Sequence, residues 1–210
     1  MTGELPTDEA RISGLVEDFV SAFDDLCRSN AVAEDSRLVE LQPQLFAKVT
    51  QSFVDFGNLV SSALPEIFEQ SAQTKGKGSD PAAGEAVEAL VDAVAEDADA
   101  HAGTVGSLAG ALADHIETLP APAPQLEQVL TAVRGIESYW REVAEQVHSV
   151  PEVLSDGDPG QVAELRALAP IWDRVADRID QAQRSMEMPP ATAGAPALKV
   201  IDGGKDSDGS

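Results

Sequence analysis

Three histidines and one cysteine are the side chains of this 210-residue chain best suited to bind a metal or attack a substrate. Glu145-Gln146-Val147-His148 has the Glu-x-x-His spacing with which helix bundles hold a di-iron pair, because residues three apart lie on one side of a helix. A complete site needs a second copy of that pair and two further inward glutamates. His101 has Asp97 four residues before it and His115 has Asp114 beside it, so neither supplies the second copy; no metal and no other cofactor is expected. Cys27 shares an apolar stripe with Val20 and Phe23, which predicts a buried, inert thiol rather than a nucleophile. Gly76-Lys77-Gly78-Ser79-Asp80 lacks the flanking strand that a phosphate-cradling loop requires. Paired carboxylates are abundant, but 37 acidic against 14 basic residues produce them by composition, so no acid/base role is assigned.

The segment Ala100-His101-Ala102-Gly103-Thr104-Val105-Gly106-Ser107-Leu108 resembles the phospho-accepting helix of histidine-phosphotransfer domains, in which small residues after the histidine leave room for a receiver domain. The resemblance implies His101 as an alternative phospho-acceptor within an all-α bundle. It departs where the family has lysine and glycine, here Thr104 and Val105. Asp92, Glu96, Asp97 and Asp99 also crowd the preceding turns, where they repel a phosphoryl group.

Positioning any such group falls to helices. Ile12, Leu15, Val16, Phe19, Val20, Phe23, Leu26 and Cys27 recur in steps of three and four, and Thr7 stands where a cap belongs. Gln42-Pro43 opens a second stripe, Leu45, Val49, Phe53, Phe56, Val60 and Leu64, in which Pro65 predicts a kink. A third stripe runs Val87, Leu90, Val91, Val94, Ala98, Val105, Leu108, Leu112 and Ile116, with Gly103, Gly106 and Gly110 predicting a break or a close approach of another backbone. Leu126, Val129, Leu130, Val133, Ile136, Trp140, Val143 and Val147 form a fourth stripe, and Val162, Leu165, Leu168, Trp172, Val175 and Ile179 a fifth, with Pro170 a second kink. The spacing therefore predicts helices over 8–29, 43–69, 82–118, 125–149 and 160–187, an all-α antiparallel bundle of four to five long amphipathic helices with a disordered C-terminal tail. Residues 1–70 read as an N-terminal helical hairpin, 71–84 as a flexible linker, 85–188 as C-terminal helices completing one bundle, and 189–210 as the tail.

All six phenylalanines lie in the first two helices, and Tyr139, Trp140 and Trp172 in the last two. Phe53, Phe56, Tyr139, Trp140 and Trp172 therefore read either as mutual core packing or as anchors for a partner. A net charge of −23 opposes nucleic acid and anionic membrane surfaces, and no apolar run approaches the roughly 18 residues of a membrane span. The opening Met1-Thr2-Gly3-Glu4 has no basic stretch followed by an apolar core, so the expected compartment is the cytoplasm. The function expected is that of a non-enzymatic helical interaction protein, a scaffold, adaptor or assembly factor, whose partner is another protein or a further copy of itself. In its alanine content, single cysteine and amphipathic helices the chain also resembles phasins, which implies a coat on hydrophobic granules as the alternative.

Charge of this magnitude lies far beyond the 2–8 typical of a small domain, so self-repulsion weakens the compact state. The melting temperature is expected to rise as salt shortens the Debye length from about 30 Å at 0.01 M to about 8 Å at 0.15 M, measured by circular dichroism. A flat or falling melting temperature would contradict it.

Overall fold

Each apolar stripe buries as one face of a helix in the computed structural model, which describes residues 9–29, 35–74, 81–156 and 159–187. The helices are α1 (Glu9–Arg28), α2 (Ser36–Thr74), α3 (Pro81–Thr118), α4 (Pro124–Val147), the short α5 (Val150–Asp156) and α6 (Pro159–Glu187). All regular structure among the described residues is helical, and none of these helices is long and apolar enough to cross a membrane. The expected cap Thr7, the middle of the linker and the tail from Pro189 lie outside the described residues.

The helices pack as a circuit, α1–α4–α3–α2–α6 and back to α1. Four of its five seams are antiparallel. Arg11 meets Glu142 and Leu15 meets Gly135 along α1–α4, and His101 meets Trp140 along α3–α4. Asp35 meets His115 between α2 and α3, while Gly57 meets Trp172 and Phe68 meets Arg166 between α2 and α6. The fifth seam, α1–α6, is parallel: Arg174 Nε and Nη2 donate to Glu9 at 2.7 and 2.8 Å, and Arg178 Nη1 donates to Glu17 at 3.0 Å. Consequently α1 and α2, the expected hairpin, are not neighbours in the circuit. They meet at one end, where the ring of Phe46 lies 6.0 Å from Phe19 and 4.9 Å from Phe23.

Prolines and glycines perturb the helices less than their types imply. Pro65 and Pro170 occupy exposed positions and both helices run through them, α2 as far as Thr74 rather than Glu69. α3 is unbroken at Gly103. At Gly106 an added Cβ would meet Glu137 Oε1 at 2.8 Å, so the close approach comes from a side chain of α4 rather than from backbone.

The start of α2 differs most from expectation. Asp35, not Gln42, caps it: Asp35 Oδ1 accepts from the amides of Arg37 at 2.9 Å and Leu38 at 3.2 Å, which satisfies two of the helix's unpaired donors. Pro43 lies inside the helix. The other carboxylate oxygen, Oδ2, accepts from His115 Nε2 at 2.7 Å, tying the beginning of α2 to the end of α3. Burial pushes the Asp35 carboxyl upward, but the Leu38 amide, the His115 ring and the Arg37 amide outweigh it, and the pKa lies below its ordinary 3.8. A depressed folded-state pKa stabilises the fold above the ordinary value, and that stability is lost as pH falls through the folded value. Asp35→Ala is therefore expected to cost about 0.5–2 kcal/mol at neutral pH, with the difference from the native chain narrowing below about pH 4. Urea midpoints across pH check this.

Candidate functional site

The side chains with chemical potential are held apart. Glu145 and His148 both face solvent, and His148 Nδ1 lies 3.7 Å from Asp92 Oδ1 on the outer side of the α3–α4 seam. Among the described residues no group of three or more His, Cys, Asp and Glu side chains is placed to hold a metal. His115 belongs to the Asp35 cap. Cys27 is exposed, which corrects its expected burial: the stripe that turns inward is Ile12, Val16, Phe19, Phe23 and Leu26, and one further residue rotates about 100° off it. Its sulfur accepts from Gln42 Nε2 at 2.8 Å. Partial burial pushes the thiol pKa up, the Gln42 hydrogen bond opposes this and Asp24 adds to it, so the reactive thiolate is disfavoured.

The imidazole of His101 is 15% exposed, with its centroid 5.4 Å from the Trp140 ring and Nε2 3.1 Å from Asp97 Oδ2. Neither of those two buried atoms has a well-aligned hydrogen-bond partner. A receiver domain has little access to this ring, and its outer nitrogen faces a carboxylate.

Phe53, Phe56, Tyr139, Trp140 and Trp172 come together, but inside. All five are buried. The Trp140 ring lies 4.9 Å from Phe56, 5.1 Å from Phe53 and 5.9 Å from Trp172, so α2, α4 and α6 share one aromatic cluster. Their reading as exposed partner anchors is therefore replaced by the core reading. Two small residues that sequence reasoning passed over make the cluster possible. Ser52 Oγ accepts the Trp140 indole N–H at 3.1 Å and donates to the Val49 carbonyl at 2.7 Å. Gly57 leaves room for Trp172, whose Cβ would stand 3.2 Å from a Cβ at that position. The Tyr139 hydroxyl is buried without a hydrogen-bond partner, and burial pushes its pKa up, with Arg11 opposing and Glu142 adding.

An open groove of about 570 Å³ runs instead along the α1–α4 seam. Its half-buried floor is Leu15 and Ala22 of α1 with Ala132 and Gly135 of α4, and its exposed rim carries Asp18, Asp25 and Glu127. At Gly135 an added Cβ would sit 3.4 Å from Leu15 Cδ2, an ordinary van der Waals contact. Leu15 to Ala22 spans about two turns, or ~10 Å at 1.5 Å per residue. Among the described residues the three rim carboxylates form no ion pair, whereas Arg11, Arg174 and Arg178 are paired with Glu142, Glu9 and Glu17. The sequence shows small residues recurring on the two helices, but not that they face one another.

Comparison with models of protein families, with curated proteins and with solved structures finds no match to this chain. The cluster's energetics are open to direct measurement. A buried hydroxyl without a partner costs about 1–3 kcal/mol, so Tyr139→Phe is expected to leave stability unchanged or raise it, while Trp140→Ala should cost about 3–5 kcal/mol. Chemical denaturation separates the two.

Proposed function

We propose that the protein is a non-enzymatic helical interaction protein, a scaffold, adaptor or assembly factor, that receives a basic helix in the α1–α4 groove. The groove carries this reading because it joins a half-buried apolar floor to carboxylates that form no ion pair among the described residues. The floor supplies affinity in proportion to the apolar area covered, about 25 cal/mol per Å², and the rim supplies orientation and a faster encounter. Such a partner presents small apolar residues at helical spacing, flanked by Lys or Arg. A second copy of the chain is a poor occupant, since each copy carries a net charge of −23.

Neither alternative gains a specific observation. A granule coat needs apolar side chains at the surface, yet the stripes point inward and Val39, at 53%, is the exposed large hydrophobic residue among those described. Phosphotransfer needs an accessible His101, and the ring lies against Trp140.

Photo-crosslinking residues at Ala22 or Ala132, incorporated in the cells that make the protein, are expected to yield a discrete adduct that the same residue at exposed Glu117 does not. Once the partner is identified, Asp18→Lys with Asp25→Lys should weaken association at least tenfold, about 1.4 kcal/mol, at a melting temperature no lower than that of the native chain. Association indifferent to both charge reversal and groove-blocking Ala132→Trp would refute the proposal.

A further inference from the structure

At the opposite end of α4 from the groove, the helices enclose an apolar cavity of about 50 Å³. Its walls include Val60 and Leu64 of α2, Val94 of α3, Val143 of α4 and Trp172 of α6, and Val150 closes it at the start of α5. All fourteen lining residues are apolar or aromatic, and the Tyr139 hydroxyl and the Trp172 indole nitrogen are the only polar side-chain atoms they carry. Water needs two to four polar partners to settle in such a space, so the cavity is dry when nothing else fills it.

α1 begins at Glu9, and its first turn meets α4 at Tyr139 and Glu142. Val143 and Val147 continue α4 past that point, beyond the described part of α1 and ahead of the seven-residue α5. The lining is least sealed on this side: Leu64 is 8% exposed, Val147 9% and Val150 7%, and Leu168 is half-buried.

We propose that this cavity binds the end of an uncharged linear alkyl chain, entering beside α5. Size selects the shape: the volume exceeds the ~10–15 Å³ of probe-occupied space that one water needs but is a third of the ~150 Å³ engineered cavity that holds benzene, so the last carbons of a chain fit and a ring does not. Charge selects the head group. The lining offers no cation to a carboxylate, and the protein's −23 repels an anionic amphiphile. Trp172 in the wall, with Trp140 5.9 Å behind it, reports on occupancy.

The full chain is titrated with 1-hexanol, 1-octanol and 1-decanol, with 10-bromodecanol as a tryptophan quencher and with decanoate and cyclohexanol as comparisons. Saturable quenching by the bromoalcohol is expected. The three alcohols should bind with similar affinity, because each offers the cavity the same chain end; binding should be at least tenfold weaker for decanoate, and cyclohexanol should not compete. Ala63→Leu and, separately, Val94→Leu fill the cavity and should each weaken decanol binding at least tenfold; each variant's helical spectrum and melting temperature are recorded alongside. Absence of saturable quenching by the native protein, undiminished binding in a folded filled variant, or entry of xenon alone would show a packing void and overturn the proposal. These variants lie away from the α1–α4 groove, so that reading is unaffected by either outcome.

Discussion

A ring of five helices cannot alternate direction all the way round, so one seam must be parallel. In this protein that seam is α1–α6, and it is also the seam bridged by the bidentate Glu9–Arg174 pair and by Glu17–Arg178. Exposed pairs of this kind are screened by solvent and contribute little, so they set the register of α1 against α6 more than they hold it. The burial of Ile12, Val16, Phe19 and Phe23 does the holding. The same ring explains why α1 and α2 are not partners despite being consecutive: each has its two neighbours elsewhere.

Length limits the reach of α1. Among the described residues α1 has 20, whereas α2 has 39 and α3 has 38, so the contacts of α1 are confined to one part of the bundle. Trp140 stands near the end of that part. Its ring meets Phe53, Phe56, Trp172 and His101, filling the centre with the largest side chain the chain possesses. Beyond it the bundle is lined by valines and leucines that do not close the space completely.

Periodicity carried most of this architecture in the sequence. Four of the five expected long helices end within a few residues of their positions, because the stripes from Ile12, Val87, Leu126 and Leu165 each follow one face without interruption. The start of α2 was obscured by Pro43, whose type marks a first turn more strongly than Asp35 marks a cap, although Asp35 three residues before Leu38 was a legible signal. Cys27 was misplaced because an apolar stripe has edges, and type alone does not say which edge faces solvent. The aromatic residues were visible as a group but their depth was not, since burial depends on which helices become neighbours. Ser52 and Gly57 had no signal of their own until Trp140 and Trp172 were placed against them.

Electrostatics follow from that neighbour list. Arg11, Arg174 and Arg178 all meet carboxylates across the two seams of α1, and Arg141 meets Glu137 within α4. With 14 basic residues against 37 acidic ones, cations committed to these positions leave others uncompensated. Asp18, Asp25 and Glu127 fall among the uncompensated, on the one seam whose floor is built of alanine, glycine and a half-buried leucine. Self-repulsion therefore works against the fold everywhere, but at this seam it is coupled to apolar area that a partner can cover. A basic helix laid there relieves both at once, whereas added salt relieves only the charge.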